Sequence, residues 1–295
     1  MTSYKVHPSS GKTFDINNIG IIYNIEHKGV EKVVEKLENA LEKYCFNFVK
    51  KHISPTQQKE IEAFKLKVDL VIVVGGDGTF LAAARYFSKY NIPLLGINTG
   101  RLGFLAQIQT HEIEDGIEKI LKGKFTVEER LMLQAKSEQG QSYSALNDIV
   151  IRGSSITRTA KLFMYINEKH VCDYVADGLI ISTPTGSTAY TLSAGGPVLH
   201  PNLNAFVIVP ICPHALTARP LVVPASEKVR IELKSTNEDF LLTADGQKNI
   251  TIKGSENIFI EKYNHNAKLI SIENNNFYYI LRNKLHWGVS PAGNF

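Results

Sequence analysis

A single carboxylate stands between glycines at the end of an apolar run. The stretch LVIVVGGDGTF covers residues 70–80 and places Asp77 between Gly76 and Gly78. The run of Val and Ile predicts a parallel strand buried on both faces, and the AAARYF segment after Leu81 predicts a helix. Glycine-rich turns between a strand and a helix usually bind phosphate, because free backbone N–H groups and the helix dipole attract anions. A negative charge in such a turn therefore needs a chemical reason.

Proton transfer gives such a reason. A carboxylate among glycines can approach a ligand closely, and it can accept a proton from a substrate hydroxyl as that oxygen attacks a phosphoryl group. We expect Gly78 and Thr79 to hold phosphates through N–H and hydroxyl donors at the start of the helix that follows Thr79. The stretch is not a Walker A loop, because no Gly-Lys-Ser/Thr follows, and its glycines do not fit GxGxxG. A plain tight turn at Gly75-Gly76 is the alternative.

A second segment, STPTGSTAYTLSAGG at residues 182–196, is rich in hydroxyl groups and small residues. It predicts a polar cradle for a nucleotide, with Tyr190 stacking on a base. The alternative is a loop in which Thr185 or Ser187 caps a short helix that runs through Leu192.

Three further residues have weaker signals when each is taken alone. Asn147 and Asp148 form an Asn-Asp pair, which is common in turns. Phe104 lies between a glycine-rich turn and an apolar segment, where an aromatic residue belongs to a core more often than to a base-stacking site.

The elements that would position these residues fall into two styles. From residue 19 to 122, strands such as GIIYNI and IPLLGIN alternate with helical patterns, which predicts an α/β domain with an open, mostly parallel sheet. After Gly123, short β-branched segments from FTVEERLMLQAKS to NIFIEKY are separated by turn residues, which predicts an all-β domain. We expect the boundary near 123–126 and the active site in the cleft between the domains.

The last residues of the chain are predicted to be packed. FYYILRNKLHWGVSPAGNF is too apolar for a free tail, with Phe277, Ile280, Leu281, Leu285 and Trp287 among its residues. We therefore expect this end of the chain to be packed against the rest of the protein.

Composition limits the classes of function. The chain has 295 residues, 43% hydrophobic and 21% charged, with a net charge of +4, as in an ordinary globular protein. We expect no nucleic-acid partner, since there is no dense Lys/Arg stripe, and a cytoplasmic protein without membrane attachment. Cys45, Cys172 and Cys212 have no metal-ligand spacing, so free thiols are expected and no protein metal site is predicted.

Taken together and in this order, several motifs resemble those of the ATP-NAD kinase family. The resemblance spans roughly residues 19–250, and the long central motif is its most specific part. The motif GGDGT alone is also similar to motifs of diacylglycerol kinases, sphingosine kinases and phosphofructokinases. The motifs are GGDGTF (75–80), TGRLGF (99–104), NDIVI (147–151), DGLIISTPTGSTAYTLSAGGP (177–197), PHALTARP (213–220) and ADGQ (244–247).

The resemblance implies a reaction, substrates and a cofactor. The family phosphorylates the adenosine ribose 2′-hydroxyl of NAD, using ATP with a divalent cation, and Mg²⁺ held mainly by the ATP phosphates is expected here. Asp77 matches the proton acceptor, Asn147 and Asp148 match the pair that reads the adenosine end, and Asp177 matches an acidic residue near the nicotinamide. The resemblance also implies a homodimer or homotetramer. It implies that the chain end crosses back to the α/β domain, so the predicted domains are 1–124 plus about 277–295, and 125–276.

The remaining implied positions share contact with the nucleotide. Phe104 and Tyr190 match aromatic residues that line the pocket, and Arg158 matches a position that meets phosphate. The full set of expected binding residues is Asp77, Gly78, Phe104, Asn147, Asp148, Arg158, Asp177, Thr185, Thr188, Ala189, Tyr190, Thr191, Leu192, Ser193 and Gln247.

Two departures from the family pattern and three alternatives stay open. Position 148 is Asp where some relatives have Glu, and the preference for NAD or NADH is left open. Val175 stands where many members carry arginine, so a phosphate contact is missing or is supplied by Arg158 or Lys161. A lipid kinase would need an apolar tunnel or a membrane-facing patch, and the sequence offers no corresponding amphipathic surface helix. A sugar-phosphate kinase would need several arginines, and a non-catalytic dinucleotide-binding regulator would gain nothing from the charge of Asp77.

Overall fold

The computed structural model describes residues 4–6, 14–52, 68–100, 103–154, 159–234, 239–272 and 277–286. The chain divides into two compact units. The first combines Met1–Glu129 with Ala267–Phe295, and the second is Arg130–Asn266.

Within the described residues, strands alternate with helices in the first part of the chain, and strands predominate in the rest. The α-helices are α1 (Val30–Lys43), α2 (Asp77–Phe87), α3 (Ile113–Leu121), α4 (Tyr190–Ser193) and α5 (Phe277–Leu285). The strands are β1 (Tyr4–Val6), β2 (Phe14–Ile16), β3 (Asn18–Tyr23), β4 (Asn47–His52), β5 (Leu70–Gly75), β6 (Leu94–Asn98), β7 (Ile108–Gln109), β8 (Phe125–Arg130), β9 (Leu133–Ser137), β10 (Ser142–Ala145), β11 (Asp148–Gly153), β12 (Ala160–Ile166), β13 (Lys169–Ala176), β14 (Gly178–Ser182), β15 (Ala205–Ile211), β16 (Leu221–Pro224), β17 (Val229–Leu233), β18 (Phe240–Ala244), β19 (Lys248–Ile252), β20 (Asn257–Lys262) and β21 (Ala267–Ile272).

The first unit is built on a sheet with the order β4-β3-β5-β6-β21-β8, and β7 pairs with β6. The pairs β3–β4, β3–β5, β5–β6 and β21–β6 are parallel, as the apolar runs predict. Every residue of β5 is buried. Helix α1 turns Val30, Val34 and Leu37 inward, which is the face that its apolar spacing predicts. The expectation of an α/β unit with a mostly parallel sheet is confirmed.

The observed boundaries differ from the expected ones at both ends of the second unit. The FTVEER strand, expected in the all-β domain, is β8 and lies beside β21 in the sheet of the first unit. The chain returns to the first unit at Ala267, not near 277, because β21 pairs in parallel with β6. Phe125, Ile270 and Ile272 accordingly belong to the apolar core of the first unit.

The second unit consists of two antiparallel sheets, which confirms the all-β expectation. Their strand orders are β10-β9-β20-β17-β12-β13 and β16-β15-β14-β11-β18-β19. Side chains from both sheets form one buried cluster, for example Leu162 and Ile231 from one sheet and Ile149 and Ile208 from the other. The second sheet also has an apolar outer face, where Val150, Ile180 and Val207 pack with Leu199 from the segment after α4. The order and register of β11, β14 and β18 set the geometry of the site in this unit.

Helix α5 has an amphipathic character. Ile280 and Leu281 are buried, whereas Tyr278 and Tyr279 are exposed. Trp287, which the sequence also placed in this packing, lies outside the described residues. Among the helices of the described residues, none is long and apolar enough to cross a membrane.

Burial of the α5 side chains predicts a stability effect. Ile280 is 5% exposed, so Ile280→Ala should lower the free energy of unfolding by about 2–5 kcal/mol, the usual cost of emptying such a site. Thermal unfolding followed by circular dichroism measures the change, and Asn283→Ala, at an exposed position of the same helix, is the matched control. Equal melting temperatures for the two variants would show that α5 adds little to the first unit.

Candidate active site

Asp77 lies where β5 ends and α2 begins. The helix was expected to follow Thr79, but it begins at Asp77, with Gly76 as its N-cap residue. The backbone N–H groups of Thr79 and Phe80 both donate to the carbonyl oxygen of Gly76. Asp77 and Gly78 therefore occupy the first helical turn, where the partial positive charge of the helix end stabilises an anion.

The carboxylate of Asp77 is held by the turn that follows β6. Oδ2 accepts the N–H of Phe104 at 3.1 Å, and Oδ1 accepts the N–H of Leu105 at 3.2 Å. A Cβ atom at Gly103 would overlap Oδ1 of Asp77, so only glycine fits at this close approach. The Asp77 side chain is 33% exposed. Because a carboxylate has about four lone-pair positions, it can accept a hydrogen bond from a substrate hydroxyl while it binds both N–H groups.

Phe104 therefore contacts Asp77 through its backbone, which the sequence did not indicate. Its ring is partly buried, and the ammonium group of Lys284 lies 5.4 Å from the ring centroid. Lys284 comes from α5, far along the chain. Sequence reasoning missed it, because a single lysine in an amphipathic helix carries no functional signal.

In the second unit, Asp245 anchors the Asn147-Asp148 segment. Its carboxylate accepts the N–H groups of Leu146 at 3.2 Å, Asn147 at 2.7 Å and Asp148 at 3.4 Å. The N–H of Asp245 in turn donates to the carbonyl oxygen of Asp148 at 3.0 Å. Asp245 was not among the expected site residues, although the ADGQ motif contains it.

The turn geometry explains how Asp245 reaches this position. Asp245 has φ 52° and Gly246 has φ 65°, the left-handed pair of a type I′ hairpin turn, and the N–H of Gln247 closes the turn on the carbonyl of Ala244. An Asp-Gly pair between alternating apolar residues is a strong signal for such a hairpin. The turn joins β18 to β19, and it brings the expected binding residue Gln247 to the same end of the sheet as Asp148.

Asp148 is a buried carboxyl group whose pKa is raised. It begins β11 and is 4% exposed. Burial, followed by the nearby charge of Asp245, raises its pKa from 3.8 to about 7. The protonation of this group therefore changes near neutral pH.

Hydroxyl groups of the 182–196 segment form hydrogen bonds within the protein. Ser182 Oγ donates to the carbonyl of Asn147 at 3.0 Å, and Thr183 Oγ1 donates to the carbonyl of Leu146 at 2.6 Å. A Cβ atom at Gly186 would overlap the carbonyl oxygen of Asn147. The backbone of Asn147 is thus fixed by this loop on one side and by Asp245 on the other.

The helix predicted in this loop is present in two pieces. A 3₁₀ helix covers Thr185–Thr188, and α4 follows at Tyr190–Ser193. The side-chain cap expected from Thr185 or Ser187 is not found in this described segment. Ser187 Oγ instead bridges the carbonyl of Pro184 and the N–H of Leu199, which fastens the loop to the chain that follows it.

Exposure separates the expected residues of this loop. Thr185 and Thr191 are buried, and their hydroxyl oxygens have no hydrogen-bond partner among the described residues. Tyr190 is 46% exposed, and Ser193 is also exposed. Thr188, Ala189 and Leu192 are partly exposed.

The other expected residues are more scattered. Asp177 is exposed between β13 and β14, and its N–H donates to the carbonyl of Ile211 at 2.9 Å. No contact described here joins its carboxylate to Asn147 or Asp148. Arg158 lies outside the described residues. Val175, at the position of the expected arginine, is 37% exposed.

The first unit is thus a parallel α/β sheet with a glycine-rich turn at the carboxyl end of a strand, the place where such sheets bind phosphate-bearing ligands. The model of the ATP-NAD kinase N-terminal domain matches residues 24–125, and that of the C-terminal domain matches residues 146–272. The chain belongs to the ATP-NAD kinase family.

Individual relatives agree with this assignment. An NAD kinase of Carboxydothermus hydrogenoformans is 44% identical over 230 residues, which are 77% of this chain and 82% of the relative. An NAD kinase of Caldanaerobacter subterraneus subsp. tengcongensis is 38% identical over 280 residues, or 92% of this chain and 99% of the relative.

Solved structures show the same fold. The crystal structure of an NAD kinase from Archaeoglobus fulgidus in complex with ATP aligns with a TM-score of 0.75 and 26% identity, covering 91% of this chain and 98% of that one. Yeast NADH kinase complexed with NADH aligns with a TM-score of 0.83 and 22% identity, covering 98% and 94% of the two chains.

The raised pKa of Asp148 predicts a pH-dependent stability. Between pH 4 and pH 7 the unfolded chain ionises this carboxyl while the folded chain keeps its proton, so the group's contribution to stability is lost as pH rises. The total is on the order of 4 kcal/mol, from about 1.36 kcal/mol per pKa unit. Asp148→Asn has no ionisable group at this position, so its stability does not decrease in this way. Its melting temperature minus that of the wild type should therefore increase from pH 5 to pH 8.

Thermal unfolding at a series of pH values measures this difference. Asp177→Asn, at an exposed carboxyl of the same unit, is the matched control. A difference between Asp148→Asn and wild type that stays constant from pH 5 to pH 8 would contradict the raised pKa.

Proposed function

We propose that this protein transfers the γ-phosphoryl group of ATP to the adenosine ribose 2′-hydroxyl of NAD, giving NADP, with Asp77 as the proton acceptor. Membership of the ATP-NAD kinase family makes the protein an ATP-dependent NAD kinase. The observation that carries the further assignment is the carboxylate of Asp77, oriented by two N–H groups at a glycine-rich helix start.

The chemical step has few parts. The 2′-oxygen forms a bond to the γ-phosphorus, the bond from that phosphorus to the β–γ bridging oxygen breaks, and ADP leaves with the electron pair. The proton of the 2′-hydroxyl passes to the Asp77 carboxylate. Since such transition states need mainly positioning and charge stabilisation, the rigid placement of Asp77 against Gly103 supports this role.

The second unit supplies the groups that would bind the dinucleotide. Asn147 and Asp148 are assigned to the adenosine end by the family resemblance, and Asp245 holds both at one end of β11. Tyr190, which is nearly half exposed, is assigned to stacking on a ring. The other assigned contacts in this unit are Arg158, Asp177, Thr185, Thr188, Ala189, Thr191, Leu192, Ser193 and Gln247.

The hydroxyl oxygens of Thr185 and Thr191 are buried, which makes these two residues weaker candidates for direct contact with the ligand. Thr188 and Ser193 have more exposed side chains and are the better candidates for direct hydrogen bonds to the ligand.

A divalent cation fits this site when it arrives with ATP. Among the described residues, no three His, Cys, Asp or Glu side chains are grouped as a metal site, and Mg²⁺ commonly binds substrate phosphates plus one or two carboxylates. Asp77, partly exposed at the phosphate-binding turn, is the carboxylate of the first unit that fits such a contact. The cation supplies neutralisation of phosphate charge. We also propose a homodimer or homotetramer, on the basis of the family alone.

One experiment tests the substrate and the site of transfer. The protein is incubated with ATP, Mg²⁺ and either NAD or 2′-deoxy-NAD, and the products are separated by chromatography. NADP should form from NAD, and no phosphorylated product should form from the 2′-deoxy analogue although it binds. Phosphorylation of that analogue would place the reaction on another hydroxyl and overturn the proposal.

A second experiment tests the base. Asp77→Asn should lower kcat by about 10²–10⁴, the usual worth of general base catalysis, while the dissociation constant for NAD changes little. The matched control is Asp115→Asn in α3, whose carboxylate is exposed and pairs with Lys119. A kcat close to that of the wild type in Asp77→Asn would rule out this residue as the proton acceptor.

A further inference from the structure

Helix α5 places a lysine beside the proposed proton acceptor. Nζ of Lys284 lies 4.0 Å from Oδ2 of Asp77 and 5.4 Å from the ring centroid of Phe104. The N–H of Phe104 donates to the same carboxylate oxygen. A carboxylate, an aromatic ring and an ammonium group from three distant stretches of the chain therefore meet at the glycine-rich turn.

Stability does not explain this ion pair. About a third of each side chain is exposed, 32% for Lys284 and 33% for Asp77, and pairs with such exposure contribute little to folding. The position of this ammonium group beside the proposed proton acceptor therefore needs another explanation.

The transferred group needs that charge. In the proposed reaction the γ-phosphoryl group, with its negative oxygens, passes beside Asp77 on its way to the 2′-oxygen. A lysine ammonium has three rotatable donors on a flexible stem, so it can turn from Asp77 to an arriving phosphoryl group without moving the helix. Binding there would also reduce the repulsion between the phosphoryl oxygens and the Asp77 carboxylate.

We propose that Lys284 binds the γ-phosphoryl group of ATP and stabilises its charge during the transfer. The inference rests on the proposed function, because it uses the same site and the same bonds. The ammonium donates hydrogen bonds to non-bridging γ-oxygens while the proton of the 2′-hydroxyl goes to Asp77. Lys284 keeps its own proton throughout.

The test uses the difference between ATP and ADP, since only ATP carries the group that Lys284 contacts. Lys284→Met keeps the apolar stem and removes the charge, and Lys284→Arg keeps the charge. The control is Arg282→Met, which removes a cation from an exposed position of the same helix. Calorimetry in the presence of Mg²⁺ gives dissociation constants for ADP, a non-hydrolysable ATP analogue and NAD, and turnover assays give kcat.

Lys284→Met should weaken binding of the ATP analogue by about 10- to 100-fold, as for a lost hydrogen bond to a charged group. Its affinities for ADP and NAD should stay close to those of the wild type. Its kcat should fall by about 10²–10³, the cost of losing one charge-stabilising donor. Lys284→Arg should recover part of both losses, and Arg282→Met should show neither.

Two results would overturn the inference. One is a Lys284→Met protein with wild-type affinity for the analogue and a wild-type kcat, and the other is an equal loss of affinity for ADP and the analogue. Should Lys284→Met melt at a lower temperature, Lys284→Gln provides the same comparison. A wild-type protein that binds the analogue but forms no NADP would refute the proposed function, while the comparison of the analogue with ADP would still decide the role of Lys284.

Discussion

The Asp77 carboxylate must be held in one orientation at the start of α2, and much of the first unit serves this constraint. Two backbone N–H groups bind it, and Gly103 leaves the space that it fills. Those N–H groups come from the turn after β6, so β5 and β6 must be neighbours with their carboxyl ends level. The register provides this, since Gly75 lies opposite Asn98. The buried apolar run of β5 therefore determines where the carboxylate of the next turn lies.

In the second unit, backbone N–H groups again hold a carboxylate in place. Asp245 binds three consecutive backbone N–H groups around Asn147, and the pairing of β11 with β18 places Ile149 opposite Ala244, next to that turn. Backbone N–H groups thus supply hydrogen bonds to this buried carboxylate. Asp148 lies close to Asp245 and has no such set of donors among the described contacts. Its ionised form is therefore disfavoured, and its pKa is raised.

Both arrangements fit the reaction of the ATP-NAD kinase family. The first unit offers an oriented carboxylate, a helix start and a lysine, which are the groups that phosphoryl transfer uses. The second offers a segment fixed by backbone contacts and a loop whose hydroxyls are mostly occupied in holding its own shape. The loop is thus more rigid than its polar composition suggests, and rigidity favours a preformed binding surface because little conformational entropy is lost on binding.

The sequence by itself determined the style of each unit and pointed to Asp77 as the proposed proton acceptor. Apolar runs and helical spacing are local patterns, so they predicted β5, α1 and the antiparallel strands, and the glycines around Asp77 indicated a phosphate-binding turn. The contacts between distant residues were decided by the tertiary structure. The apolar pattern of FTVEER specifies a strand but not which sheet it joins, and pairing beside β21 placed it in the first unit. Nothing local in the chain links Lys284 to Asp77 or Asp245 to Asn147, because those contacts exist only after strands far apart in sequence have paired.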